Sequence, residues 1–266
     1  MDLRAARAFL FVPATRPDRF EKASAAGADV VVLDLEDAVA PDDKDTARAS
    51  AAKWLSAGGP AMVRINSTDT SWYARDVAMA ADTGCPVMLP KATSGEQVRR
   101  LVASLGSGAR VVPLVETSAG VLGARDVCAV PGVARVALGG IDLGAELGVD
   151  PEAAATMAWA RSMLVFASAA AGAAPPVDGV TTDIRDAESL RAQAVRGVHE
   201  GFGGKLCIHP AQVPVVRDAY RPSAEQLAWA RRVVAAAEDR AVVVVDGKMV
   251  DKPVLERARR LLADAR

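Results

Sequence analysis

The chain has 266 residues, 51% of them hydrophobic, with 32 basic and 33 acidic side chains giving a formal net charge of −1. That length suits one large core, such as a single α/β barrel, and the balanced charge excludes a global field recruiting nucleic acid or an anionic membrane. Cys85, Cys128 and Cys207 share no C-x-x-C spacing or His cluster, no apolar stretch reaches the ~20 residues of a membrane span, and no apolar leader precedes Phe9; reduced thiols and a cytoplasmic location are expected.

Short apolar runs alternate with helical patterns along the chain. A run at 8–12 leads to a helix at 16–26, 30–33 to 42–57, 61–65 to 73–83, and 87–89 to 95–105. The pattern continues with 111–115 and 119–130, 135–138 and 153–171, 177–180 and 187–200, then 205–208 and 210–219. Ser94 and Asp42 stand where N-terminal caps belong, and Gly27, Gly58, Gly84 and Gly106 follow their helices as stops. Continuous rather than alternating runs suit strands covered on both faces, so eight βα units predict an α/β fold, a (β/α)8 TIM barrel over 1–222. An open doubly wound sheet is the rival, but Phe11 to Arg16 occupy the position where its G-x-G-x-x-G would stand. A C-terminal helix-hairpin-helix extension over 223–266 is predicted from a helix at 223–239, a run at 241–245, an Asp246-Gly247 turn and a helix from Pro253. It would serve as a lid or a subunit contact.

A barrel places its chemistry at the C-terminal ends of its strands. There the sequence delivers Thr15 and Arg16; Asp34, Glu36 and Asp37; Arg64 and Asn66; Lys91; Glu116; Asp142; Asp178 and Thr181; and His209. Arg64 interrupts an apolar strand, and leaving its guanidinium unpaired costs ~3–5 kcal/mol. Its partner is either Glu36 or Asp37, or a substrate carboxylate held bidentately. Glu116 and Asp142, each just beyond an apolar run, suit a hard cation such as Mg²⁺; alternatively they cap helices starting near Ser118 and after Leu143. His209 either binds substrate or hydrogen-bonds its own loop, and His199 reads as a surface residue.

Together, Phe9-Leu10-Phe11-Val12-Pro13-Ala14, Leu33-Asp34-Leu35-Glu36-Asp37-Ala38, Val63-Arg64-Ile65-Asn66, Leu89-Pro90-Lys91, Val115-Glu116-Thr117-Ser118-Ala119-Gly120, Leu138-Gly139-Gly140-Ile141-Asp142-Leu143 and Ile208-His209-Pro210 resemble the citrate lyase β-subunit-like proteins of the HpcH/HpaI aldolase superfamily, which also holds malyl-CoA and citramalyl-CoA lyases. The resemblance spans nearly the whole chain. It implies a trimeric or hexameric barrel that interconverts a 3-hydroxyacyl thioester with a 2-oxo acid and an acetyl thioester, with Mg²⁺ on Glu116 and Asp142. It further implies oxo-acid binding by Arg64, Ile141 and His209 beside the metal ligands, and coenzyme A contacts at Phe11, Arg16 and Lys22. Asp251 matches an acid/base on a C-terminal lid, often supplied by a neighbouring subunit, with Glu36 and Asp37 as further catalytic candidates; an ordinary salt bridge to Lys248 or Lys252 is the alternative for Asp251. Ala8 departs from a Ser common at that position. Two other functions stand beside a stand-alone acyl-CoA lyase: the lyase subunit of a citrate lyase complex, with the thioester on an acyl carrier protein, and a scaffold subunit without turnover.

Overall fold

Uninterrupted Val and Leu runs form strands buried on both faces, and eight of them lie side by side in a closed parallel barrel. The computed structural model describes residues 1–151, 154–237 and 242–265. The barrel strands are β1 (Ala8–Pro13), β2 (Val30–Asp34), β3 (Met62–Arg64), β4 (Val87–Leu89), β5 (Val111–Val115), β6 (Ala137–Leu138), β7 (Val177–Asp178) and β8 (Gly204–Cys207). The chain returns through α1 (Phe20–Ala25), α2 (Lys44–Ser56), α3 (Tyr73–Thr83), α4 (Gly95–Leu105), α5 (Ser118–Leu122), α6 (Ala124–Cys128), α7 (Gly140–Leu147), α8 (Ala154–Ala170), α9 (Ala187–Glu200) and α10 (Gln212–Ala219). Pairing of Phe9 with Leu206 and of Leu10 with Cys207 joins β1 to β8 and closes the ring, which rules out the open sheet.

Alternation along each strand sends Phe9, Val30, Val32, Met62, Met88, Val112, Leu114, Ala137, Val177 and Leu206 into one buried cluster. At the N-terminal ends of the strands, the fully buried Arg135 donates to the carbonyls of Ala6 (2.8 Å), Leu3 (3.3 Å) and Pro175 (2.7 Å), with its guanidinium 5.9 Å from the Phe9 ring centroid. The strand expected from Arg135 begins at Ala137.

Two helices depart from the sequence-based expectation. The pattern at 119–130 is split into α5 and α6 at Gly123, where a Cβ would lie 2.5 Å from the carbonyl oxygen of Thr93. The helix expected after Leu143 starts earlier, at Gly140, so Asp142 lies in the first turn of α7 and not at its cap. Ala153, Glu238 and Asp239, and Ala241, at the ends of three expected elements, lie outside the described residues.

The chain divides into two compact units, Met1–Arg217 and Asp218–Arg266. Within the second, α11 (Ala224–Ala236) and α12 (Lys252–Asp264) accompany a hairpin of β9 (Val243–Val245) and β10 (Lys248–Val250), and Ala230, Val233, Val243, Val245, Val250 and Ala258 form its core. Asp246 and Gly247 both have positive φ, 52° and 74°, as a tight two-residue hairpin turn requires. Asp251 is the N-cap of α12, its Oδ1 accepting from the Val254 amide at 3.3 Å. Asp251→Ala is therefore expected to lower stability by about 1 kcal/mol and Asp251→Asn by far less, since Asn caps as well as Asp does; chemical denaturation of the two variants checks this.

Candidate active site

At the C-terminal ends of the strands, Asp34 pairs in register with Arg64 on the adjacent strand. The two side chains meet as well: Arg64 donates from Nε to Asp34 Oδ1 at 2.7 Å and from Nη2 to Oδ2 at 2.6 Å. The expected partners Glu36 and Asp37 do form ion pairs with this guanidinium, while its hydrogen bonds go to Asp34, which sequence reasoning did not name as a partner. Both are nearby, but Glu36 Oε2 lies 3.1 Å from Nη1 without forming a hydrogen bond, and Asp37 Oδ2 lies at 3.8 Å. Asp34 thus grips the guanidinium side-on through Nε and Nη2, and the Nη1–Nη2 end, which carries the Glu36 and Asp37 ion pairs, faces the cavity. The Phe11 ring lies 4.8 Å from the guanidinium carbon and supports the cation from one face.

Glu116 follows β5 directly and is 2% exposed. Helix capping does not occupy it, because Thr117 is the N-cap of α5 and accepts from the Gly120 amide at 3.1 Å. Glu116 Oε1 instead accepts the Lys91 backbone N–H at 2.7 Å, while the Lys91 ammonium donates to Glu36 Oε1 at 2.6 Å. Gly139 makes room for this carboxylate: a Cβ there would lie 2.4 Å from Glu116 Cβ and 2.5 Å from Oε2.

Burial, with repulsion from Glu36 and Asp142, pushes the Glu116 carboxyl up to about 8. Burial raises the Glu36 carboxyl as well, against the pull of Arg64 and Lys91. Arg64 is shifted upward because its hydrogen bonds and ion pairs to Asp34 and the neighbouring acids outweigh the cost of burial. A buried carboxylate raised by its acidic neighbours lacks positive charge, and a cation would supply it. Glu116 and Asp142 line one cavity of about 410 Å³, and no group of three or more His, Cys, Asp or Glu residues suited to a metal occurs among the described residues. Two carboxylates with open positions suit Mg²⁺, which keeps waters and substrate oxygens in its shell, and do not suit a closed four-ligand zinc site.

Phe11, Asp37, Arg64, Ile141 and Asp34 line the same cavity. Sequence reasoning placed Asp34 and Lys91 at strand ends but gave neither a role, and it passed over Gly139. His209 is not part of the cavity wall, which Ile208 forms at that strand end; His209 Nδ1 accepts from the Ala211 amide at 3.2 Å within its own loop. Arg16 is exposed and paired with Asp18 at 2.8 Å, and Lys22 is exposed on α1.

A family model described as HpcH/HpaI aldolase/citrate lyase matches residues 7–210. The chain belongs to this family. A citrate lyase subunit beta-like protein from Mycobacterium tuberculosis is 43% identical over 274 residues, covering 100% of this chain and 98% of its own length. A (3S)-malyl-CoA thioesterase from Cereibacter sphaeroides is 35% identical, covering 97% of this chain and 94% of its own. Among solved structures, protein CitE from M. tuberculosis in complex with magnesium, acetoacetate and coenzyme A superposes with a TM-score of 0.85 at 41% identity, covering 99% of each chain. The match of this HpcH/HpaI family member to the CitE complex joins its barrel to a relative that holds a metal, a keto acid and coenzyme A in one crystal. No helix among the described residues is long and apolar enough to cross a membrane.

Proposed function

We propose that this HpcH/HpaI family member is a Mg²⁺-dependent carbon-carbon lyase that interconverts a 3-hydroxyacyl-CoA of the malyl, citramalyl or citryl type with acetyl-CoA and a 2-oxo acid. The observation that carries the reading is Arg64, hydrogen-bonded on one side by Asp34 and facing, with its other end, the cavity shared with Glu116 and Asp142. Glu116 and Asp142 would hold the metal. When bound, Mg²⁺ polarises the oxygen that alternates between hydroxyl and carbonyl and lowers the hydroxyl pKa.

Arg64 would receive the oxo-acid carboxylate through Nη1 and Nη2, with Ile141 as an apolar wall beside it. In cleavage the hydroxyl proton passes to a base, the carbon-carbon bond breaks, and the electron pair forms a thioester enolate that takes a proton at carbon. Asp251 would be the acid/base for that carbon, on a lid from the same or a neighbouring subunit of a trimer or hexamer. Arg16 and Lys22 would meet the phosphates of coenzyme A.

Purified protein incubated with Mg²⁺ and a panel of 3-hydroxyacyl-CoA thioesters is expected to release acetyl-CoA and a 2-oxo acid, and chelation is expected to abolish the release. The malyl-CoA thioesterase among the relatives supports a second reading, in which water cleaves the thioester. Free CoA and an intact hydroxy diacid would then be the products. Thioesters on an acyl carrier protein, tested in the same assay, distinguish a citrate lyase subunit from a stand-alone enzyme, and absence of turnover on every thioester would leave the scaffold reading.

Gly139→Ala is expected to weaken Mn²⁺ binding, measured by electron paramagnetic resonance, at least tenfold, because the added methyl displaces the Glu116 carboxylate. Binding within twofold of wild type would remove Glu116 from the metal site.

A further inference from the structure

We propose that Lys91 is a positioning residue that limits the hold of Glu36 on the substrate end of Arg64 by sharing its carboxylate. The inference rests on the lyase reading above and deepens it by assigning the control of oxo-acid affinity.

Arg64 is exposed to more carboxylate than it can serve while still binding a substrate. Asp34 takes Nε and Nη2, Glu36 Oε2 stands 3.1 Å from Nη1, and Asp37 stands at 3.8 Å. A buried carboxylate without a hydrogen bond on one oxygen takes any donor within reach. Oε2 of Glu36 is such an atom: it is buried and has no hydrogen-bond partner although Nη1 is close enough to supply one. The two make an ion pair without hydrogen-bond geometry while the other oxygen, Oε1, is held by the Lys91 ammonium at 2.6 Å. With that cation removed, Arg64 is the remaining cation paired with the Glu36 carboxylate among the described residues, since Lys44 is held by the Leu35 and Glu36 carbonyls, and the carboxylate closes onto Nη1, where the substrate carboxylate would sit.

The backbone holds Lys91 in this place. Lys91 and Asp246 are the non-glycine residues with positive φ among those described, and Lys91, at 48°, has no hairpin turn to account for it. That conformation points its N–H at Glu116 Oε1, 2.7 Å away, while the side chain reaches Glu36. One residue thus serves two carboxylates by separate means: its main chain orients Glu116 and its side chain restrains Glu36. Loss of the side chain should spare the first and release the second.

The test measures Mn²⁺ binding by electron paramagnetic resonance and binding of pyruvate and oxaloacetate to the Mn²⁺-loaded protein by calorimetry. Lys91→Met is expected to weaken oxo-acid binding at least tenfold and leave the Mn²⁺ dissociation constant within threefold of wild type. Lys91→Gly, which accepts positive φ readily, should behave in the same way. Adding Glu36→Gln to Lys91→Met is expected to restore oxo-acid binding to within threefold, because a neutral amide no longer competes for Arg64. Lys91→Arg should keep most of the affinity. Unchanged oxo-acid binding in Lys91→Met, equal loss of Mn²⁺ and oxo acid, or no recovery in the double variant would each overturn the assignment of Lys91. A wild-type protein that binds Mn²⁺ but neither oxo acid overturns the lyase reading itself, an outcome distinct from the other three.

Discussion

Arg64→Lys is expected to lower kcat/KM about 10²-fold, equivalent to about 2.7 kcal/mol of transition-state stabilisation, although the charge is retained. A guanidinium has two usable edges. Here one is taken by Asp34 through Nε and Nη2, and the other would meet the substrate carboxylate through Nη1 and Nη2. An ammonium is a single point, so a lysine that satisfies the buried Asp34 has no second edge to offer. It also lacks the planar face that lies over Phe11. Steady-state assays of the two proteins decide the matter, and a variant within threefold of wild type would reduce Arg64 to the ion-pair partner of Asp34.

Asp251→Asn is expected to suppress turnover by about 10²–10⁴-fold, the usual range for loss of a general acid/base, with Mg²⁺ and oxo-acid affinity retained. The substitution is informative because Asp251 already has a structural task as the N-cap of α12, and asparagine performs that task equally well. Any loss of rate therefore reports on the proton and not on the helix. Exchange of the acetyl-CoA methyl protons into deuterated water gives a second readout. Wild-type exchange and turnover would move the acid/base to the barrel, where Glu36, Asp37 and His209 are the alternatives. Mixed oligomers of Asp251→Asn and Arg64→Lys chains that regain activity would show that the aspartate serves a neighbouring subunit.

The barrel was legible because its strands are uninterrupted apolar runs, and each acid that ends such a run stands out. Glu116 and Asp142 were found in that way. The Asp34–Arg64 clamp was not, since it depends on the register between β2 and β3, which a linear pattern does not carry. The role of Lys91 depends on a positive φ, and nothing in Leu89-Pro90-Lys91-Ala92 distinguishes that conformation from ordinary loop. Gly139 and Gly140 read as part of the apolar run before Asp142, which hid both the true start of α7 and the close approach of Gly139 to Glu116. The break at Gly123 was hidden for a similar reason: the crowding comes from Thr93, a residue remote in sequence.

The buried guanidinium of Arg135 has a consequence for the order in which the chain is made. Its acceptors at Leu3, Arg4 and Ala6 lie 129 to 132 residues before it, while those at Pro175 and Pro176 lie 40 and 41 residues after it. A ribosome adding about 5–20 residues per second needs about 2–8 s to cover the second interval. During that time the cation lacks its acceptors at Pro175 and Pro176 and must keep part of its water. The floor of the barrel can close only after residue 176 has been synthesised, and a nascent chain halted earlier would carry a hydrated charge where the finished protein is sealed.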